Sequence, residues 1–181
     1  YKAYQPSMDR YVAIKVLPEH LSQDAQFLKR FQREAKAIAR LEHAHILPAH
    51  DYGEQAGITY IVMRYVNGGT LRDRIAQAEG LPVSEIVRIV EQVGGALDYA
   101  HRQGLIHRDI KPGNILFDAQ NDAFLGDFGL ARMIAPSQHI TSGAGLAVGT
   151  PAYISPEQGQ GLKADARSDL YSLGVVLYEM A

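Results

Sequence analysis

A strand-rich first third carrying one helix precedes a helix-rich remainder in this chain. Strands and helices are segregated rather than alternating. That order leaves one strand-rich part carrying a helix and one mainly helical part. Tyr1–Tyr4 and Tyr11–Leu17 are β-like runs around the turn formers Pro6-Ser7-Met8-Asp9, and so read as a hairpin. Pro18 ends the second strand. A helix is expected from about Ser22, a suitable N-cap, to Leu41, with Asp24 in its first turn. Phe27, Phe31 and Ile38 fall on one face of it, and Glu34 shares that face. A buried carboxylate needs a partner, whereas a rim carboxylate reaches water.

Ile46-Leu47 and Ile58–Tyr65 read as two further strands, separated by a turn around Gly53–Gly57. A short helix is expected near Thr70. A long one follows over Ser84–Arg102, with Ile86, Val90, Val93 and Leu97 inward. Gly94-Gly95 inside it has no local rationale. After Gly104 come short apolar runs between polar loops: Leu105-Ile106, Ile115–Phe117 and Phe124-Leu125. Residues 130–161 are rich in Gly, Ser, Thr and Pro and read as a long loop. A final helix is expected from about Asp169.

Composition excludes several classes of function. With 46% apolar and 21% charged residues the chain has a globular make-up. Its net charge of −2 disfavours a general nucleic-acid or membrane-surface binder. It has no cysteine, which removes disulfides, thiolate metal sites and thiol catalysis, and fits a reducing compartment. No apolar run approaches the roughly 20 residues of a membrane span. The first residue is Tyr1 rather than Met, and the apolar helical pattern over Leu170–Ala181 stops without a cap. Both ends therefore read as cut.

Chemistry concentrates in His107-Arg108-Asp109-Ile110-Lys111-Pro112-Gly113-Asn114, a loop between two short strands. A carboxylate, an ammonium and an amide in one tight loop suit proton acceptance, phosphate neutralisation and metal coordination. Asp127-Phe128-Gly129 follows 18 positions after Asp109. An Asp before Gly at a strand end is a natural ligand for a hard cation.

Together these motifs resemble the eukaryotic-type protein kinase family, in order, along nearly the whole chain. Val12-Ala13-Ile14-Lys15 is similar to the strand whose Lys grips the α- and β-phosphates. Glu34, 19 positions on, is similar to its helix partner. His107–Asn114 resembles the catalytic loop and Asp127-Phe128-Gly129 the metal-binding turn. Ser155-Pro156-Glu157 stands where the family usually has Ala-Pro-Glu. Asp169–Gly174 resembles the start of the helix that anchors the catalytic loop. The implied fold is α+β and bilobal: a small antiparallel β lobe with one helix, and a partial, mainly helical large lobe. Residues 1–66 would form the small lobe and hinge, without the Gly-rich loop. Residues 67–181 would form the part of the large lobe holding the catalytic loop, activation segment and start of the anchoring helix.

The resemblance implies ATP and Mg²⁺ (or Mn²⁺) as cofactors and transfer of the γ-phosphoryl group. Asp109 would accept or orient the proton of the acceptor hydroxyl, and Lys111 would neutralise the transferring group. Asn114 and Asp127 would hold the metal. Lys15 would pair with Glu34. Ala13 and Leu116 would sandwich the adenine, with Met63 at the rear and Arg64-Tyr65-Val66 as the crossing strand. Arg64 replaces a commoner acidic residue, with little expected loss because adenine contacts there are to backbone. Arg108 would receive a phosphorylated loop residue. Lys111 and Gly149–Glu157 resemble Ser/Thr-specific members, with Thr150 framing the substrate site and a wording associated with bacterial Ser/Thr kinases. Thr141 and Ser142 are expected autophosphorylation sites.

Protein substrates with Ser/Thr acceptors are thus the expected partners, with no nucleic acid and no membrane contact within this segment. The expected location is cytoplasmic, including the cytoplasmic domain of a membrane-anchored receptor kinase. The alternatives are a non-catalytic signalling or scaffold module of the same fold and a small-molecule kinase; the Gly149–Glu157 segment speaks against the latter. Two decoys are set aside: Gly143–Gly149, which has the look of a phosphate cradle but the wrong context, and the trio His43, His45 and His50. The two cut ends carry three expectations. Glu157 would lack its usual Arg partner, the face around Val175, Val176 and Tyr178 would be exposed, and the chain alone would be poorly stable and weakly active.

Overall fold

The computed structural model describes residues 1–18, 25–128 and 151–181. Ser22, Asp24, Gly129, Thr141, Ser142, Thr150 and the Gly143–Gly149 run lie outside them.

The hairpin forms as β1 (Lys2–Gln5) and β2 (Arg10–Val16), joined by a 3₁₀ turn at Pro6–Met8. It is half of a four-stranded antiparallel sheet of order β1-β2-β4-β3, with β3 at Ala49–Gln55 and β4 at Ile58–Arg64. The register sets Ala13 opposite Met63 and Lys15 opposite Ile61. Sequence alone places a strand at Ile46-Leu47, where the structure has only an isolated bridge from Ile46 to Leu125. These two residues are apolar because they are buried between elements. The strand that does form, β3, is largely polar because much of it faces solvent.

Helix α1 (Ala25–Ile38) packs on this sheet through Phe27, Phe31 and Ala35, while Ile38 joins the larger core. Phe31 is fully buried, stacks on Phe27 at 6.4 Å and meets Tyr52 edge-on at 6.4 Å. Burying such a ring contributes about 1.5–3 kcal/mol. Glu34 lies at the margin of the stripe, half-buried.

The larger core is built around α3 (Val83–Arg102), which buries Ile86, Ile89, Val93, Ala96, Leu97 and Ala100. Against it lie the hairpin of β5 (Ile115–Phe117) and β6 (Ala123–Leu125), and the helix α5 (Ala166–Met180). The expected strand-like pair Leu105-Ile106 is in neither sheet. Helix α2 (Leu71–Gln77) starts with a capping box. The Thr70 hydroxyl accepts from Asp73 N–H, and the Asp73 carboxylate accepts from Thr70 N–H at 2.8 Å. That bonding holds the Asp73 carboxyl below its usual range.

Helix α5 brings one correction. Val176 is completely buried and Val175 half-buried, whereas Tyr178 is exposed as expected, along with Leu170, Tyr171 and Leu177. Glu157, in the short helix α4 (Pro156–Gly159), has no ion pair among the described residues, and its carboxylate accepts a bond from the Ser168 hydroxyl, which lowers its pKa. Among the described residues no helix is long and apolar enough to cross a membrane.

Candidate active site

The loop that carries Asp109 is aimed by the way α3 ends. Gly104 adopts the left-handed conformation (φ +75°), with Gly104 N–H donating to His101 C=O and Leu105 N–H to Ala100 C=O. This Schellman closure satisfies the last carbonyls and turns the chain sharply back across the core. His107 and Arg108 then arrive over the first turn of α5. There the buried Asp169 carboxylate accepts from His107 N–H at 2.8 Å and Arg108 N–H at 2.7 Å, and bonds His101 Nε2 at 2.7 Å. Arg108 itself sits at φ +67°, a costly conformation for a side-chain-bearing residue. Asp169 on one side and Gln158 Nε2, donating to the Arg108 carbonyl at 3.0 Å, hold it there.

His107 is fully buried and both ring nitrogens are used. Nδ1 accepts from Asp109 N–H at 3.2 Å, so the proton is on Nε2, which donates to Gly126 C=O at 2.8 Å. A neutral imidazole fits that pattern, and burial lowers its pKa accordingly. The ring packs on Phe128 at 4.6 Å. One buried histidine thus ties the Asp109 loop to the Asp127 turn.

The three polar groups of the loop converge. Lys111 Nζ donates to Asp109 Oδ2 at 2.6 Å, and Asn114 Nδ2 donates to the same oxygen at 2.9 Å and to the Asp109 carbonyl at 2.7 Å. Asn114 Oδ1 is left without a hydrogen-bond donor among the described residues, beside the cleft that also holds Asp127. A carboxylate and an amide oxygen so placed are a hard donor set that fits a divalent cation.

Across the cleft, Lys15 departs from expectation. Its Nζ lies 2.7 Å from Asp127 Oδ2, and no ion pair joins Lys15 to Glu34. The reason is geometric: α1 turns Phe31 and Ala35 onto the sheet and leaves Glu34 at its rim, so the nearest carboxylate to Lys15 is Asp127. Asp127 holds a left-handed backbone, φ +59°.

Between these groups opens a cleft of about 570 Å³, within the ordinary range for small-molecule sites. Ala13, Met63, Val66, Leu116 and the backbone-bearing stretch from Arg64 line it, with Lys15 and Asp127 also on its wall. The Arg64 guanidinium reaches Asp118 at 3.5 Å and lies 4.7 Å from the Phe124 ring. Among the histidines set aside earlier, His43 stacks on Tyr99 and His45 Nδ1 bonds the Ala123 carbonyl.

All of residues 1–181 match the family model described as the protein kinase domain. The chain belongs to that family. It is 46% identical over 177 residues to the serine/threonine-protein kinase PknB of Mycobacterium leprae, covering 96% of this chain and 28% of that protein. It is 43% identical over 180 residues to PknL of Mycobacterium tuberculosis, covering 99% and 45%. The chain therefore spans less than half the length of these curated relatives. Among solved structures, the Mycobacterium tuberculosis PknI kinase domain matches with a TM-score of 0.78 at 37% identity, over 99% of this chain and 67% of that one. The fold is the kinase fold in part: an antiparallel sheet with its helix, and a helical body. Kinases of this family in general use ATP and a divalent metal.

Sequence reasoning missed His101 and Gln158, which brace the Asp109 loop from helices. Each is a single polar residue in an otherwise ordinary helical pattern. Only the position of His101 at the end of α3 hints at a role.

Proposed function

We propose that this chain is the core of an ATP-dependent protein kinase that phosphorylates Ser and Thr hydroxyls of proteins. The observation that carries the reading is the convergence of Lys111 and Asn114 on one oxygen of Asp109, at 2.6 and 2.9 Å. That cluster orients a carboxylate in the loop whose Gly113 lines the cleft, and the cleft wall holds a second carboxylate and a lysine.

Phosphoryl transfer depends on positioning and charge neutralisation more than on covalent chemistry. Asp109 orients the acceptor hydroxyl and takes its proton. Lys111, adjacent to that oxygen, is placed to neutralise charge on the group in transfer. Ala13 and Leu116 hold the adenine ring, and the backbone of Arg64 to Val66 meets its edge. Asn114 and Asp127 would hold the metal, which would supply charge neutralisation. Lys15 binds the phosphates, for which it must leave Asp127; pairing with Glu34 is the arrangement that would hold it there.

The finer parts of the reading follow. Residues 1–66 act as small lobe and hinge and 67–181 as the large-lobe portion. Arg108 receives a phosphorylated residue of the activation segment, with Thr141 and Ser142 as autophosphorylation sites and Thr150 beside the acceptor. The kinase works in the cytoplasm. The test incubates the protein with γ-labelled Mg-ATP and a generic protein acceptor, beside Asp109→Asn and Lys15→Met, and maps phosphosites by mass spectrometry. Phosphoserine and phosphothreonine well above both variants are expected. Label no higher than in Asp109→Asn would replace the enzyme with a non-catalytic module of the same fold, and phosphotyrosine alone would remove the Ser/Thr assignment.

A further inference from the structure

The acceptor surface carries a cation that the transfer mechanism does not use. Helix α2 presents Arg72 toward the catalytic loop: a Cβ built on Gly113 would lie 3.3 Å from Arg72 Nη2 and 3.5 Å from its Cζ. The guanidinium therefore occupies the space that a side chain at position 113 would enter. Gly113 belongs to the 3₁₀ turn Pro112–Asn114, whose Asn114 is bonded to Asp109. The Arg72 charge also reaches the phenol of Tyr153, in the turn Pro151–Tyr153. Arg72 thus lies near both the catalytic loop and the segment that leads into Ser155-Pro156-Glu157.

Arg72 is exposed and forms no ion pair among the described residues. The nearby carboxylates are committed elsewhere. Asp73 is held by Thr70 through both its backbone and its hydroxyl, and Glu179 accepts from the Tyr153 hydroxyl. Lys111 is tied to Asp109. Residues 129–150 contain no Asp or Glu. A substrate chain laid between these loops supplies its own counter-charge or leaves Arg72 facing water.

We infer that Arg72 is a specificity residue, selecting acceptor sequences that carry an Asp or Glu within a few residues of the phosphorylated Ser or Thr. This rests on the kinase reading above. An exposed charge pair is a modest contact, so the selection is graded rather than absolute: about two- to fivefold in kcat/KM, expressed mainly in KM. It weakens with salt, because the pair is solvent-accessible.

The test uses a Thr peptide set in which Glu, Ala or Lys is placed in turn at each position on either side of the acceptor. The protein, Arg72→Ala, Arg72→Glu and Arg72→Lys are each assayed for the ratio of kcat/KM between Glu and Lys peptides. At one or more positions the protein favours Glu, Arg72→Lys keeps the preference, Arg72→Ala flattens it and Arg72→Glu inverts it. Melting curves of the four proteins show that each is folded. A ratio near one at every position, or a Glu preference that survives Arg72→Glu, overturns the inference while leaving the kinase intact. Phosphorylation of none of the peptides, the all-Ala one included, above an Asp109→Asn control overturns the kinase reading and this inference with it.

Discussion

The two walls of the cleft are built on different principles. On the side of Asp109, position is set by bonds from buried or half-buried side chains to backbone: Asp169 to two consecutive amides, His107 to the Gly126 carbonyl, Gln158 to the Arg108 carbonyl. On the side of Lys15, position is set by a single contact between two side chains, each about a third or a quarter exposed (34% and 27%). The first kind of bond cannot be exchanged without unsatisfying a buried polar group. The second can be traded for another partner at little cost. The Asp109 side is thus fixed by the fold, whereas the Lys15 side is free to change partners.

The strongest way to break that contrast is Asp169→Ala. It strips the acceptor from two buried amides and from His101, and should lower stability by about 3–5 kcal/mol in denaturant melts. Asp169→Asn keeps one acceptor oxygen and should cost less. A loss under 1 kcal/mol for Asp169→Ala would mean that the loop holds itself.

Next in size is Asp109→Asn, which should reduce phosphoryl transfer about 10²–10⁴-fold, the usual worth of a positioned proton acceptor. Its melting curve should stay close to that of the parent. Large unfolding with it would move Asp109 from the chemistry to the scaffold. On the opposite wall, Glu34→Gln should leave stability within about 0.5 kcal/mol, since no ion pair of Lys15 is lost. It should nevertheless slow transfer if Lys15 must change partners during turnover. Equal rates in the two proteins would show that the Lys15–Glu34 pair is never made.

The pH response sharpens the same division. His107 stays neutral in the folded protein because burial lowers its pKa below the usual 6.5. The unfolded chain binds a proton there as pH falls through about 6.5, so it binds more protons than the native state. Stability is therefore full above that pH and declines below it, with His43 and His50, also lowered by burial, pulling the same way. Melting temperatures across that range should fall with acid, and the slope should shallow in a His107→Gln background. Smallest is Thr70→Ala, expected to cost about 1 kcal/mol by removing the cap of α2, and measurable in the same melts.

The sheet hairpin, α3 and the loop chemistry were legible because each has a local signature: β-branched residues at Val12 to Val16, a helical apolar stripe from Ile86 to Leu97, polar residues packed around Asp109. What escaped was set by distant partners. Strand β3 has few β-formers, and β4 makes it a strand by pairing with it. Ile46-Leu47 is apolar for the opposite reason, burial without a ladder. Glu34 shows the same limit within the site. Helical spacing puts it on the apolar side, but whether a residue at the stripe's edge points to Lys15 or to water depends on how α1 rolls on the sheet. That roll is decided by Phe27, Phe31 and Ala35 together, not by Glu34.

The chain leaving β4 is pinned at both ends of a very short interval. Arg64 N–H donates to Pro48 C=O, and four residues on, Gly68 N–H donates to Phe117 C=O. Gly68 is wedged so tightly that a Cβ there would come within 2.6 Å of the Asp118 carbonyl oxygen and 2.7 Å of the Phe117 one. Tyr65, Val66 and Asn67 alone lie between, and none has a backbone hydrogen bond among the described residues. In this pass of the chain, turning of the sheet relative to the helical body falls on three pairs of torsions, like the pin of a door, beside the second pass at His45 to Leu47, which is bonded to Leu125. Two of the three residues, Tyr65 and Val66, also border the cleft, so whatever bonds to their backbone stiffens the pin at the same stroke.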